Sequence, residues 1–186
     1  MGSWAPGASP ADRLEMARLC FATFSREEVE VDPFEIQRAG AGPTYTYDSL
    51  VELGGRYRNL AFVVGSDQLP AMEGWNRFPE ILRLCDWIVL ERKPDGASVA
   101  RGTLKDWEGR GWVRPVPGDP GAWETPGTTR IGFFATKARE ASSTSLKASL
   151  ETPGGEAGAT LSAMPHEIRT YIRKRGLYGH SRGRAP

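Results

Sequence analysis

The run Leu60-Ala61-Phe62-Val63-Val64, closed by Gly65-Ser66-Asp67, constrains the fold more than any other stretch. An unbroken apolar run has no polar alternation to turn toward water. It reads as a strand buried on both faces that feeds a loop. Trp87-Ile88-Val89-Leu90 repeats the pattern, and Arg130–Thr136 supplies a third apolar strand. Thr44-Tyr45-Thr46 starts a helix running to about Tyr57, Trp75–Leu84 and Ser142–Leu150 read as helices, and Pro165–Arg175 as a C-terminal helix stopped by Gly176. Strands alternating with helices predict an α/β fold, a parallel sheet with flanking helices and right-handed crossovers. In such sheets ligands bind beyond the carboxyl ends of the strands. The polar clusters after Val64, after Leu90 and after the Phe133 strand should therefore share one edge. That predicts a site drawn from Asp67, Trp75, Arg92 and Ser142–Thr144.

The rest of the chain is less regular. Residues 1–10 read as an irregular start and 179–186 as a basic tail, with a single domain over 11–178 between them. Ala11–Phe24 is expected to be helical, with Asp12 as N-cap and Leu14, Ala17, Leu19, Phe21 and Phe24 on an apolar face. Val29–Val31 and Phe34–Gln37 suggest strand or extended backbone broken by Pro33. Residues 95–128, rich in Gly, Pro, Trp and Arg, read as an irregular exposed insertion, its Trp107, Trp112 and Trp123 serving local packing.

Composition narrows the function. A formal net charge of +1 over 186 residues gives no field directed at a nucleic-acid polymer or an anionic membrane. Arg169, Arg173, Lys174, Arg175, Arg182 and Arg184 make the end locally basic, as a solvated helix face and tail would be. Cys20 and Cys85 sit in apolar helical surroundings and are expected to be buried free thiols, which fits a cytoplasmic location. No CxxC pair suggests zinc, and no long apolar span suggests a membrane segment. The sequence does not fix the oligomeric state; a homo-oligomer is compatible with it.

Four clusters carry chemistry. Gly65 permits close backbone approach and Asp67 offers acceptors for ribose hydroxyls, although a plain turn would use the same residues. Trp75 could stack on a planar ring or staple its segment to the sheet. Ser142, Ser143 and Thr144 open a helix whose free N–H groups suit phosphate, with Lys147 one turn on; simple capping needs one of those hydroxyls. Thr44, Tyr45 and Thr46 begin another helix after Gly42-Pro43, where a carboxylate could be held.

In this order the blocks resemble bacterial nicotinate mononucleotide adenylyltransferases. Arg13-Leu14-Glu15-Met16 resembles that family's Arg-x-x-Met helix, and Pro43-Thr44-Tyr45-Thr46-Tyr47-Asp48-Ser49-Leu50 its Pro-Ser-Tyr-Thr-x-x-Thr-Leu segment. Gly65-Ser66-Asp67 and Trp75 resemble its Gly-x-Asp and following Trp, and Arg92-Lys93-Pro94 its Arg-x-Pro. Ser142-Ser143-Thr144-Ser145-Leu146-Lys147 is similar to its Ser-Ser-Thr-x-Ile-Arg, and Gly176-Leu177-Tyr178 to its Gly-Leu-Tyr ending. The resemblance implies a Rossmann-like nucleotidyltransferase fold and an enzyme of NAD biosynthesis. Nicotinate mononucleotide would attack the α-phosphate of ATP, with Mg²⁺ accompanying the nucleotide, to give nicotinate adenine dinucleotide and pyrophosphate. It assigns the nicotinate carboxylate to Thr46 and the nearby backbone of Thr44 and Tyr45, and the pyridine ring to Trp75. Nucleotide polar groups fall to Gly65 and Asp67, the adenine side to Arg92, and ATP phosphates to Ser142, Ser143, Thr144 and Lys147. Lys147 keeps the charge of the family's Arg without its bidentate geometry.

The family pattern begins earlier, with a strand, Gly-Gly-Thr-Phe-Asp-Pro and a His-x-Gly-His turn that stabilise charge on the transferred phosphates. Met1 falls just before the Arg-x-x-Met helix, and the two histidines, His166 and His180, are in no such motif. The first βα portion is therefore expected to be missing, and no catalytic residue is assigned. A nucleotide-binding or scaffolding remnant, or a relative using nicotinamide mononucleotide, are the other readings.

Overall fold

The computed structural model describes residues 7–38, 42–91, 94–136 and 164–178. The chain forms two compact units, 42–138 and a second made from 1–41 with 139–186.

The 42–138 unit carries a five-stranded sheet in the order β1-β2-β5-β4-β3. Its strands are β1 (Ala61–Gly65), β2 (Asp86–Glu91), β3 (Arg114–Val116), β4 (Asp119–Glu124) and β5 (Arg130–Ala135). The three apolar runs are parallel neighbours: Ala61 pairs with Asp86 through to Gly65 with Leu90, and Trp87 with Ile131 through to Glu91 with Ala135. Contrary to what its unbroken apolar run predicts, β1 is not buried on both faces: it is the edge strand, and Ala61 and Val63 are exposed. Trp87, Val89 and Ile131 are buried on this sheet with Leu69, Met72, Ile81 and Leu82. The fold is α/β with a mostly parallel open sheet flanked by helices, consistent with a Rossmann-like nucleotidyltransferase architecture.

Residues 95–128 are not an irregular insertion. They form α4 (Pro94–Gly109) and the β3–β4 hairpin. Ala100, Leu104 and Trp107 recur at helical spacing and are fully buried, while Gly96, Gly102 and Gly109 disguise the helix in the sequence. The hairpin turns on Pro117-Gly118, where Gly118 has φ 80°, the left-handed value that follows a proline in a type II turn. Trp107 and Trp123 belong to the central core, so their packing is global, not local.

The stretch Trp75–Leu84 is not one helix either. Pro79 cannot occupy a helix interior, and only Glu80–Arg83 makes a short 3₁₀ turn. A longer 3₁₀ segment, Ser66–Gly74, leads out of β1. The helix α3 (Thr46–Arg56) lies close to its expected bounds.

The other unit holds α1 (Pro10–Cys20), α2 (Phe34–Arg38) and α5 (His166–Arg175). Ser9, not Asp12, is the α1 N-cap; Asp12 stands three residues on and completes a reciprocal capping box. The helix stops at Cys20, leaving Phe21 and Phe24 exposed instead of on an apolar face. Phe34–Arg38 is helical, not extended, because Asp32 accepts from the Phe34 N–H at 2.9 Å and Pro33 presets the first turn. Gly176 closes α5 at φ 66°, as expected from the glycine. Ile172 packs with Met16, Met164, Ile168, Leu177 and Tyr178.

Cys85 is buried as expected, and burial pushes its thiol up to about 12, whereas Cys20 is exposed. A thiol reagent at pH 8 should therefore label one cysteine of the native protein, Cys20, and reach Cys85 on denaturation. Two fast-reacting thiols, counted by mass spectrometry, would contradict the placement of Cys85.

Candidate functional site

The parallel register sets the frame. Gly65 lies beside Leu90 and Glu91 beside Ala135, so the carboxyl ends of β1, β2 and β5 form one edge of the sheet. The chain leaves β1 through Ser66, which is buried, and Asp67, which is exposed. Asp67 accepts a hydrogen bond from Gln68 Nε2 at 2.9 Å. The α4 start closes on this turn: a Cβ on Gly96 would lie 2.7 Å from Ser66 Oγ, so a larger residue there would displace the Ser66 hydroxyl. At the end of β2, Glu91 accepts from Arg101 of α4 at 2.9 Å, and the same guanidinium lies 4.8 Å over the Phe133 ring. Arg92 lies outside the described residues, as do Ser142, Ser143, Thr144 and Lys147 with the expected helix 142–150.

Trp75 follows the 3₁₀ segment as its cap, with its N–H donating to Met72 O at 2.9 Å. Its indole is half-buried, edge-on to Phe62 at 6.4 Å and tilted against Trp87 at 6.4 Å. The stapling role is thus filled, and the remaining accessible part of the ring can still meet a planar ligand.

Thr44 and Tyr45 are exposed and Thr46 is half-buried. Tyr45 is the α3 N-cap in extended conformation with no side-chain capping bond. The Tyr45 side chain thus leaves the first N–H groups of α3 uncapped, and the helix start carries partial positive charge. Asp48, exposed in the same turn, draws on that field as well.

Two residues without a role in the sequence reading join these parts. Arg77 adopts φ 57° and carries its guanidinium 4.7 Å over the ring of Tyr47, the second residue of α3. The loop holding Trp75 and the start of the helix holding Thr46 are thereby fixed to one another. The signal was faint: an arginine two residues after Trp75, in a segment that Pro79 prevents from being helical.

Among the described residues, no group of three or more His, Cys, Asp or Glu side chains is placed to hold a metal ion. No helix among them is long and apolar enough to cross a membrane.

No protein-family model matches the chain. Curated relatives do. A "Probable nicotinate-nucleotide adenylyltransferase" of Hahella chejuensis is 30% identical over 185 residues, spanning 94% of this chain and 75% of that protein. Proteins of the same name from Sodalis glossinidius and Gloeobacter violaceus are 30% and 29% identical over 93% and 94% of the chain, which spans 76% and 74% of their lengths. The relationship extends over nearly the whole chain, and the chain belongs to the nicotinate-nucleotide adenylyltransferase family of enzymes.

Proposed function

We propose that this protein transfers AMP from ATP to nicotinate mononucleotide, forming nicotinate adenine dinucleotide and pyrophosphate in cytoplasmic NAD biosynthesis. The acceptor phosphate oxygen forms the new bond to the α-phosphorus as the bond to the β-phosphate oxygen breaks. One observation supports the acceptor assignment best: the Arg77–Tyr47 contact that holds the Trp75 loop against the start of α3. In this reading Trp75 stacks on the pyridine ring. Thr44, Tyr45 and Thr46 meet its carboxylate through the α3 N–H groups, and Gly65 and Asp67 take nucleotide polar groups. Arg92 lies by the adenine, and Ser142, Ser143, Thr144 and Lys147 bind the ATP phosphates. Catalysis of this kind works by positioning and charge neutralisation, without a covalent intermediate. Mg²⁺ bound to ATP would screen the charge on the phosphates.

The second reading is binding of the acceptor nucleotide without transfer.

Pyrophosphate release from ATP, with and without nicotinate mononucleotide, tests the first reading. Acceptor-dependent turnover supports it; calorimetric binding of nicotinate mononucleotide without turnover selects the second. Failure of both overturns both. Trp75→Ala should weaken binding of nicotinate mononucleotide by about tenfold, as the loss of one aromatic stack would. Unchanged affinity would remove Trp75 from the site.

A further inference from the structure

We propose that Arg77 is the residue that selects an anionic substituent on the acceptor's pyridine ring, distinguishing a carboxylate from a carboxamide; this rests on the acceptor reading above. Three observations meet at this side chain.

The first is conformational. Arg77 is a non-glycine residue held at φ 57°. L side chains pay for that region, and glycine would occupy it freely. A loop that needed only the turn would gain nothing from arginine.

The second is orientation. The guanidinium lies 4.7 Å from the centre of the Tyr47 ring. A cation stacked in this way has its plane fixed by the ring while its N–H groups point outward from the edge. No carboxylate among the described residues pairs with it. Arg110, by comparison, stacks on Trp112 and also bonds Glu73 at 3.0 Å.

The third is position. Arg77 is two residues beyond Trp75, and its ring partner directly follows Thr46. The guanidinium therefore sits at the second residue of α3, on the loop that carries Trp75, where a substituent of a ring stacked on Trp75 and directed toward the α3 start is to be read.

The chemistry gives the selectivity. A carboxylate accepts two parallel N–H bonds from a guanidinium. A carboxamide offers one acceptor oxygen and turns its own N–H₂ donor toward a group that also only donates. The pair also loses its charge attraction.

Calorimetric titration of the full chain with nicotinate mononucleotide and with nicotinamide mononucleotide tests this. The unaltered protein should prefer the nicotinate form by about tenfold or more. Arg77→Gln should weaken the nicotinate form by about tenfold and change the nicotinamide form by less than about twofold, so the preference collapses. Arg77→Lys should restore part of it, since charge returns without the fork. Trp75→Ala should weaken both ligands alike, which separates ring stacking from substituent reading. Thermal unfolding of each variant confirms that it is folded. A full preference retained in Arg77→Gln, or no preference in the unaltered protein, overturns the assignment of Arg77. Binding of neither mononucleotide by the unaltered protein overturns the acceptor reading itself.

Discussion

Trp107→Ala should lower the stability of the 42–138 unit by about 3–5 kcal/mol, the range for deleting a large aromatic from a closed core. Trp107 is fully buried on α4 and packs 5.0 Å from the Phe78 ring, within the cluster that includes Leu69, Leu82, Trp87 and Ile131. The cavity left by an indole cannot be refilled by α4, because Ala100 and Leu104 on the same stripe are themselves buried. The Nε1–H also donates to Glu73 Oε1 at 2.9 Å. That bond, followed by the Arg110 guanidinium, holds the Glu73 carboxyl below its ordinary value, against the opposing effect of burial. Trp107→Phe separates the two contributions. It keeps most of the volume and loses the donor. Glu73 is 38% exposed, so water replaces the bond and the loss should be near 1 kcal/mol. Urea denaturation followed by circular dichroism measures both variants. A loss below about 1 kcal/mol for Trp107→Ala would mean that α4 is not part of the core.

That tryptophan also shows where the sequence stops being readable. The parallel strands were legible because Leu60–Val64 and Trp87–Leu90 are apolar without alternation. The burial of β1 on both faces was misjudged, because an apolar run does not tell an edge strand from a central one and Val63 on the edge strand is 54% exposed. The edge at which Gly65, Leu90 and the end of β5 meet followed from topology alone. Helix α4 was not legible, because its buried stripe of Ala100, Leu104 and Trp107 is interleaved with Gly102 and charged residues that dilute the helical signal. Trp75–Leu84 misled in the opposite direction, its aromatic spacing imitating a helix that Pro79 forbids. At the site, the start of α3 could be read from Gly42-Pro43 and the hydroxyls after it. The Arg77–Tyr47 contact could not: it joins residues far apart in the chain, and a left-handed arginine has no sequence signature.

Asp12→Ala should lower the thermal midpoint of the unit containing α1 and α5 by several degrees at neutral pH, and the deficit should vanish in acid. Asp12 is 5% exposed and is the acceptor for four donors. Ser9 Oγ donates at 2.6 Å and Ser9 N at 3.2 Å; from α5, Tyr171 Oη donates at 3.0 Å and Arg175 Nε at 3.1 Å. The carboxylate thus caps its own helix and ties it to the other. Ser9 first and Tyr171 second bring its pKa down from 3.8 to about 2, against the opposing effect of burial. Arg175 contributes least, its side chain being 55% exposed and screened by water. Tyr171 responds in kind: burial, then the bond to Asp12, raises its hydroxyl above the ordinary value, so it stays a donor. A carboxyl whose pKa is lower folded than unfolded stabilises the native state above the unfolded value. That contribution should be whole at pH 5 and above, decline as the pH falls from about 4, and be nearly gone at about 2. The unaltered protein and Asp12→Ala should accordingly converge across that window in melts followed at 222 nm. Asp12→Asn should fall between them at neutral pH, since its amide keeps one acceptor but turns a donor toward Tyr171 or Arg175. A gap between the unaltered protein and Asp12→Ala as wide at pH 2 as at pH 6 would show that packing around residue 12, and not its charge, joins the two helices.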